Sequence, residues 1–267
     1  SLGVYGEGHT VSSTQVGYGR DVLLEHFNMH IDIFKKTKII VNHNFADRNP
    51  KEGRDLEVMK MISRYNVGFR DDSILIGRGA RAYYDNDMAQ PFGKKNPVVL
   101  EMGEYSSRVA SGAWDRERLI NAIFAYKASY FGIYWYPKSF YEKEKELLDD
   151  ICRKIGYRIL VEELCLYKKN NNIFILIFKV KNVGSSFLYF DVKINVYVKM
   201  CGTKTLIGSS VIVGGEIPPN GFLFVDIDCG GVFHLNGRLF FEFVDDAGVN
   251  IKLPHVESGP DGVEVEF

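Results

Sequence analysis

Pro97-Val98-Val99-Leu100-Glu101-Met102-Gly103-Glu104 is a short apolar run that closes in two carboxylates. A continuous apolar strand points to burial on both faces, as in a parallel sheet covered by helices. A carboxylate at the end of such a strand is costly unless it is paired or used. The same design recurs on both sides of this stretch. Downstream, Leu119, Ile120, Ile123 and Phe124 mark a helix, Tyr130-Phe131-Gly132-Ile133-Tyr134 a strand ending in Trp135-Tyr136-Pro137, and Phe140, Leu147, Leu148, Ile151 and Ile155 one further helix. Upstream, Asn66-Val67-Gly68-Phe69 leads into Arg70-Asp71-Asp72-Ser73, and Pro50 precedes a helix with Leu56, Met59 and Ile62. A less regular stretch holding Tyr83 and Tyr84 lies between them. Lys38-Ile39-Ile40-Val41 runs into Asn42-His43-Asn44, behind a helix with Leu23, Phe27, Ile31 and Phe34 on one face. At the start, Leu2-Gly3-Val4-Tyr5 ends in Gly6-Glu7-Gly8-His9-Thr10.

Five βα units in sequence fit either a doubly wound sheet or a barrel. The placement of polar residues favours the barrel. Each strand ends in reactive residue types: Glu7 and His9; Asn42, His43 and Asn44; Arg70, Asp71 and Asp72; Glu101 and Glu104; Trp135 and Tyr136. Barrels build their sites from many strand ends at that face, whereas an open sheet concentrates them at one switch point. No strand is followed by GxGxxG or GxxxxGK[ST], which argues against nucleotide binding.

From about residue 158 the period changes to two. Val192, Ile194, Val196, Val198 and Met200 alternate with Asp191, Lys193, Asn195, Tyr197 and Lys199, and Ile173, Ile175 and Ile177 begin another strand. Turn signals fall at Asn170-Asn171-Asn172, Pro218-Pro219-Asn220-Gly221, Asn236-Gly237 and Asp245-Asp246-Ala247-Gly248. The expectation is therefore α/β: a partial (β/α)8 TIM barrel over residues 1–156, then an all-β immunoglobulin-like sandwich over 157–267.

The 267 residues are 46% hydrophobic and 25% charged, with net charge −1. That balance gives no electrostatic reason to approach nucleic acid or anionic lipid, and no apolar run approaches the length of a membrane span. Cys152, Cys165, Cys201 and Cys229 show no zinc spacing; one disulfide in the C-terminal part or buried free thiols are both compatible with them. His26 and His30 share a helix face at a four-residue step and read as surface residues. No metal or cofactor is expected.

Cleaving a glycosidic bond takes a proton donor and a second carboxylate, roughly 5 Å apart in retaining enzymes and about 6.5–9.5 Å apart in inverting ones. Glu7, between two glycines, and Glu101 occupy strand ends that a barrel would turn toward each other. Glu104 competes with Glu101 or supports it. His9, Asn42, His43 and Asn44 are candidate partners for hydroxyls, and Trp135 and Tyr136 could stack on a sugar ring. Arg70, Asp71 and Asp72 suit substrate contact or, equally, an ion pair bracing the fold.

Tyr5-Gly6-Glu7-Gly8-His9, Gly68-Phe69-Arg70-Asp71-Asp72-Ser73 and Lys181-Asn182-Val183-Gly184 make the chain resemble clan A glycoside hydrolases, close to a group of bacterial glycosidase-like proteins with a barrel and a C-terminal sandwich. The resemblance implies strands four to eight of the barrel, Glu7 on strand four as acid/base, Glu101 on strand seven as nucleophile, and Trp135 as the strand-eight aromatic. It also implies an oligo- or polysaccharide substrate and an extracellular or periplasmic location. Gly6 departs from the family's Asn before the acid/base; either Asn42 or Asn44 supplies that contact or it is absent. Five units cannot close an eight-stranded ring, so strands one to three are expected from upstream sequence or another chain. Two rival readings are a non-catalytic carbohydrate-binding protein and a metal-dependent hydrolase built on His9, His43 and Asp71 or Asp72.

Overall fold

The computed structural model describes residues 20–35, 37–42, 64–65, 67–74, 94, 96–133, 137–170, 173–200, 203–230, 238–251, 258–259 and 262–265. The expected first strand, the helix after Pro50, the Tyr83-Tyr84 stretch and the Asn236-Gly237 turn lie outside the described residues. The chain divides into two compact units, Ser1–Gly156 and Tyr157–Phe267.

In the first unit β1 (Ile39–Asn42), β2 (Val67–Ile74), β3 (Val98–Met102) and β4 (Tyr130–Ile133) form a parallel sheet in sequence order. Val41, Val67, Phe69, Val98, Leu100 and Met102 project to one face and are buried. They share a core with residues of five helices: α1 (Arg20–Ile33), α2 (Tyr105–Ala110), α3 (Arg116–Ala125), α4 (Pro137–Lys143) and α5 (Lys145–Lys154). Phe27, Tyr105, Leu119, Ile123, Phe140 and Ile151 supply the helix side of that core. Ile40, Arg70, Val99, Glu101 and Gly132 alternate to the opposite face, which stays outside this core.

Several local expectations change. The packed stripe of α1 is Leu24, Phe27 and Ile31, whereas Phe34 lies beyond the helix end and is exposed. Helix α3 buries Leu119, Ala122 and Ile123 and leaves Phe124 exposed. Its start is fixed by Asp115, whose side chain accepts the Arg118 backbone N–H at 3.0 Å. The single helix expected from Phe140 to Ile155 is two helices broken at Glu144. Strand β2 does not stop before Arg70-Asp71-Asp72 but runs through them, with an irregularity against β3 between Asp71 and Ile74.

The barrel expectation is overturned. The described parallel strands form one four-stranded sheet that ends at β1 and at β4, and strands closing a ring would have to pair across those two edges. The fold is mixed α/β: this sheet with its helices, then antiparallel sheets.

In the second unit β5 (Ile159–Asn170), β6 (Ile173–Asn182) and β9 (Phe222–Gly230) make a three-stranded sheet in the order β5-β6-β9. The other strands, β7 (Val192–Met200), β8 (Thr203–Ile212), β10 (Arg238–Asp245), β11 (Ser258–Gly259) and β12 (Gly262–Val265), make a five-stranded sheet ordered β11-β12-β10-β7-β8. An immunoglobulin constant domain would place the unit's fourth strand beside its fifth. Here that fourth strand, β8, pairs with β7, so the immunoglobulin-like expectation is corrected as well. Period-two alternation sends Val192, Ile194, Val196 and Val198 inward, where they meet Leu176, Phe178 and Val225 in one core. Phe178 and Phe241, from the two sheets, pack edge to face at 5.1 Å.

Asn182 explains part of a motif that resembled a functional signature. Its side chain is fully buried and its Oδ1 accepts the backbone N–H groups of Arg158 and Gly184, each at 3.0 Å. Its Nδ2 donates to the carbonyl oxygens of Ser186 at 2.7 Å and Ile217 at 3.4 Å. Such full satisfaction of a buried amide ties three segments together, which is a structural task. Among the described residues no helix is long and apolar enough to cross a membrane.

Candidate functional site

Four of the sequence-predicted residues meet at the C-terminal ends of the parallel strands. Asn42 ends β1, Arg70 and Asp72 lie in β2, and Glu101 lies in β3. The register pairs Asn42 with Arg70 and places Val99 opposite Arg70, so Glu101 follows on the same face one pleat further along. Asn42 Nδ2 donates to Asp72 Oδ2 at 2.6 Å. Arg70 donates to Glu101 Oε2 and stands 3.9 Å from Asp72 Oδ2. The result is a chain of four polar side chains, Asn42–Asp72–Arg70–Glu101, along the face that the helix core leaves free. The side chains of Arg70 and Glu101 keep 30% and 18% of their surface in contact with solvent. Ions this close and only partly exposed are neither fully screened nor fully desolvated.

Gly132 is the register partner of Glu101 on β4. A Cβ built there would stand 3.7 Å from Glu101 Cγ. That is ordinary contact distance, so the glycine simply places no side chain of its own against the Glu101 stem. Glu101 Oε1 has no bond to any described group.

Asp71 does not belong to this chain. It shares the helix-side face with Phe69, is fully buried, and accepts the Tyr126 O–H at 2.5 Å. Tyr126 also stacks on Phe69, ring centroids 5.9 Å apart. Glu104 is equally separate: it stands at the residue before α2, makes no side-chain capping bond to the helix backbone, and accepts the hydroxyl of Ser107, a local contact. Glu7, His9, His43, Asn44, Trp135 and Tyr136 lie outside the described residues, so the facing pair of glutamates expected from the sequence has one member in view.

A second carboxylate cluster had no sequence reading. Glu144, at the break between α4 and α5, is buried; it accepts from the Tyr105 hydroxyl at 2.9 Å and from Arg116 Nε at 2.6 Å. Burial, and then the bond to Glu144, push the Tyr105 phenol above its ordinary pKa. Trp114 and Phe140 pack edge-on to Tyr105 at 4.9 and 5.4 Å, so the cluster sits in an aromatic collar among helices. Glu144 lies in the run Glu142-Lys143-Glu144-Lys145-Glu146, which in sequence looks like any solvated helix surface. Tyr105 and Arg116 give this buried carboxylate the partners that its desolvation demands. Among the described residues no group of His, Cys, Asp and Glu side chains is arranged to hold a metal ion.

No family model matches the chain, and no curated protein matches it either. Among solved structures, the archaellum periplasmic stator protein from Sulfolobus acidocaldarius aligns at a TM-score of 0.25 and 15% identity, over 35% of this chain and 94% of that one. A β-glucosidase from Thermotoga neapolitana in complex with glucose aligns at a TM-score of 0.25 and 9% identity, over 99% of this chain and 49% of that one. A β-glucosidase from Streptomyces venezuelae in complex with D-glucose aligns at 0.25 and 11%, over 87% of this chain and 35% of that one. The chain thus spans about half the length of the first β-glucosidase or less, and likenesses of this degree carry no argument about activity.

Proposed function

We propose that the protein hydrolyses glycosidic bonds of an oligo- or polysaccharide with retention, Glu101 acting as nucleophile and Glu7 as acid/base. One observation carries this reading: Arg70 holds Glu101 through Oε2, and Oε1 has no bond among the described residues. Ligands of parallel α/β sheets bind beyond the carboxyl ends of the strands, and Glu101 lies in the last two residues of β3. In the first step Oε1 attacks the anomeric carbon, the glycosidic C–O bond breaks, and the leaving oxygen takes its proton from Glu7. In the second, water gives its proton to Glu7 and displaces the sugar from the Glu101 ester. Arg70 and Asp72 position the nucleophile and the sugar hydroxyls, and Asn42 anchors Asp72.

The test is turnover of a panel of aryl glycosides. Glu101→Gln keeps the shape of the side chain and its contact with Arg70 but removes the nucleophile; turnover should fall by roughly 10³-fold or more. Wild-type rates in that variant would end the proposal. A sugar-binding protein without catalysis is the second reading, favoured because the four side chains also satisfy one another. It predicts saturable sugar binding with no turnover in the wild type.

A further inference from the structure

The face of the parallel sheet that carries Asn42, Arg70, Asp72 and Glu101 holds one further side chain suited to a ligand, Tyr130. Phe131 and Ile133 pack against the helix core, so the pleat turns their neighbours Tyr130 and Gly132 to the opposite face. Tyr130 pairs in register with Val99, Val99 with Arg70, and Arg70 with Asn42. Tyr130 therefore closes a cross-strand row that already contains two of the four bonded polar residues. Gly132, the partner of Glu101, contributes no side chain between Tyr130 and the end of β4. Tyr130 is 55% exposed, and among the described residues it is the only aromatic side chain that the four strands place on this face.

A lone exposed tyrosine is ordinary on a protein surface, and exposure by itself assigns nothing. Position decides here. Strands about 4.8 Å apart with a rise of about 3.3 Å per residue set the backbones of Tyr130 and Glu101 roughly 8 Å apart, one strand over and two residues back. A sugar ring attacked by Glu101 sits against that carboxylate. Tyr130 stands one step further off, at the place of a neighbouring ring of the same saccharide. Val99, half-buried between Tyr130 and Arg70, keeps the floor of that step apolar. A pyranose presents an apolar face of C–H groups and a rim of hydroxyls. Tyrosine matches both, with a flat apolar ring and a hydroxyl at its tip.

We propose that Tyr130 is the platform for a second sugar ring, so that the substrate is an oligosaccharide held over two adjacent rings, one at Glu101 and the next on Tyr130. The assignment rests on Glu101 marking the sugar site. Titration calorimetry of the full chain carrying Glu101→Gln, which leaves sugars uncleaved, tests it with methyl monosaccharides and the matching methyl disaccharides of gluco, galacto, manno and xylo configuration. Methyl glycosides carry no aromatic group that would itself stack on Tyr130. The disaccharide should bind more tightly than its monosaccharide. Adding Tyr130→Ala should weaken the disaccharide roughly 10-fold and the monosaccharide by less than about 2-fold, as one aromatic contact predicts. Tyr130→Phe, which keeps the ring, should restore most of the difference. A purely structural role for Tyr130 would move both sugars together. Equal weakening of both, no weakening of either, or no sugar binding at all would overturn the proposal. Turnover by the wild type separates this assignment from the hydrolase reading. Binding with the Tyr130 effect but no cleavage would end the hydrolase reading and keep the platform, and cleavage without the Tyr130 effect would do the reverse.

Discussion

The helix-covered and half-open faces of the parallel sheet each carry an aspartate from β2, Asp71 on the first and Asp72 on the second. Asp71 is sealed under Tyr126 and Phe69, and its bond to the Tyr126 hydroxyl holds strand to helix. Asp72, one residue on, joins Asn42, Arg70 and Glu101, and of these Asp72, Arg70 and Glu101 keep part of their side-chain surface in solvent. The pleat makes this separation: successive side chains point to opposite faces, so adjacent carboxylates of one strand meet unrelated environments. The lesson is that a run of charged residues is not one site. Its members have to be sorted by face before chemistry is assigned.

Substitutions on either side can break this contrast. The largest effect on stability is expected at Tyr126→Phe, which removes the hydroxyl donor from a fully buried carboxylate. Losing it should cost about 2–3 kcal/mol. Both tryptophans, Trp114 and Trp135, lie in the first unit, so tryptophan fluorescence during urea unfolding reports that unit alone. A midpoint equal to wild type would show that Asp71 does not rely on Tyr126.

Arg70→Lys, on the other face, should act on turnover instead. A lysine keeps the charge and loses the planar fork that orients Glu101, so kcat should fall ~10-fold, about 1.4 kcal/mol of barrier. Its unfolding midpoint should stay within about 0.5 kcal/mol of wild type. A large stability loss with unchanged kcat would make the pair a brace and not a positioning device.

The same inside–outside sorting applies in the second unit, with the smallest effect. Cys165 faces out and Cys229 is buried, its thiol pushed up to about 11 by burial and then by the charge of Asp228. The thiolate is the reactive form, so at neutral pH a maleimide should label Cys152 and Cys165 and reach Cys229 only on unfolding. Rapid labelling of Cys229 in the native chain would contradict that placement.

The legible part of the fold was the alternation of apolar strands and amphipathic helices before residue 156 and the period-two pattern after it. Those patterns are local, and local burial follows from them. Closure of the sheet is not local: four strands with apolar interiors read alike in an open sheet and in a ring, and the barrel expectation failed on that point. The same limit applies to the site. Asn42, Arg70, Asp72 and Glu101 were visible as polar residues at strand ends, but the bond from Tyr126 to Asp71 spans 55 positions and has no sequence signal. Glu144 was hidden for a related reason, since only the break between α4 and α5 distinguishes it from its solvated neighbours.

The central claim is that Glu101 presents a free carboxylate oxygen to a sugar. It is tested most directly by trapping with an activated deoxyfluoro glycoside, which forms the glycosyl ester quickly and hydrolyses it slowly. Intact-mass analysis followed by peptide mapping should find one sugar per chain, on the peptide containing Glu101, and none in Glu101→Gln. Absence of any adduct across the sugars that the wild type turns over, or an adduct mapped to another residue, would contradict the account.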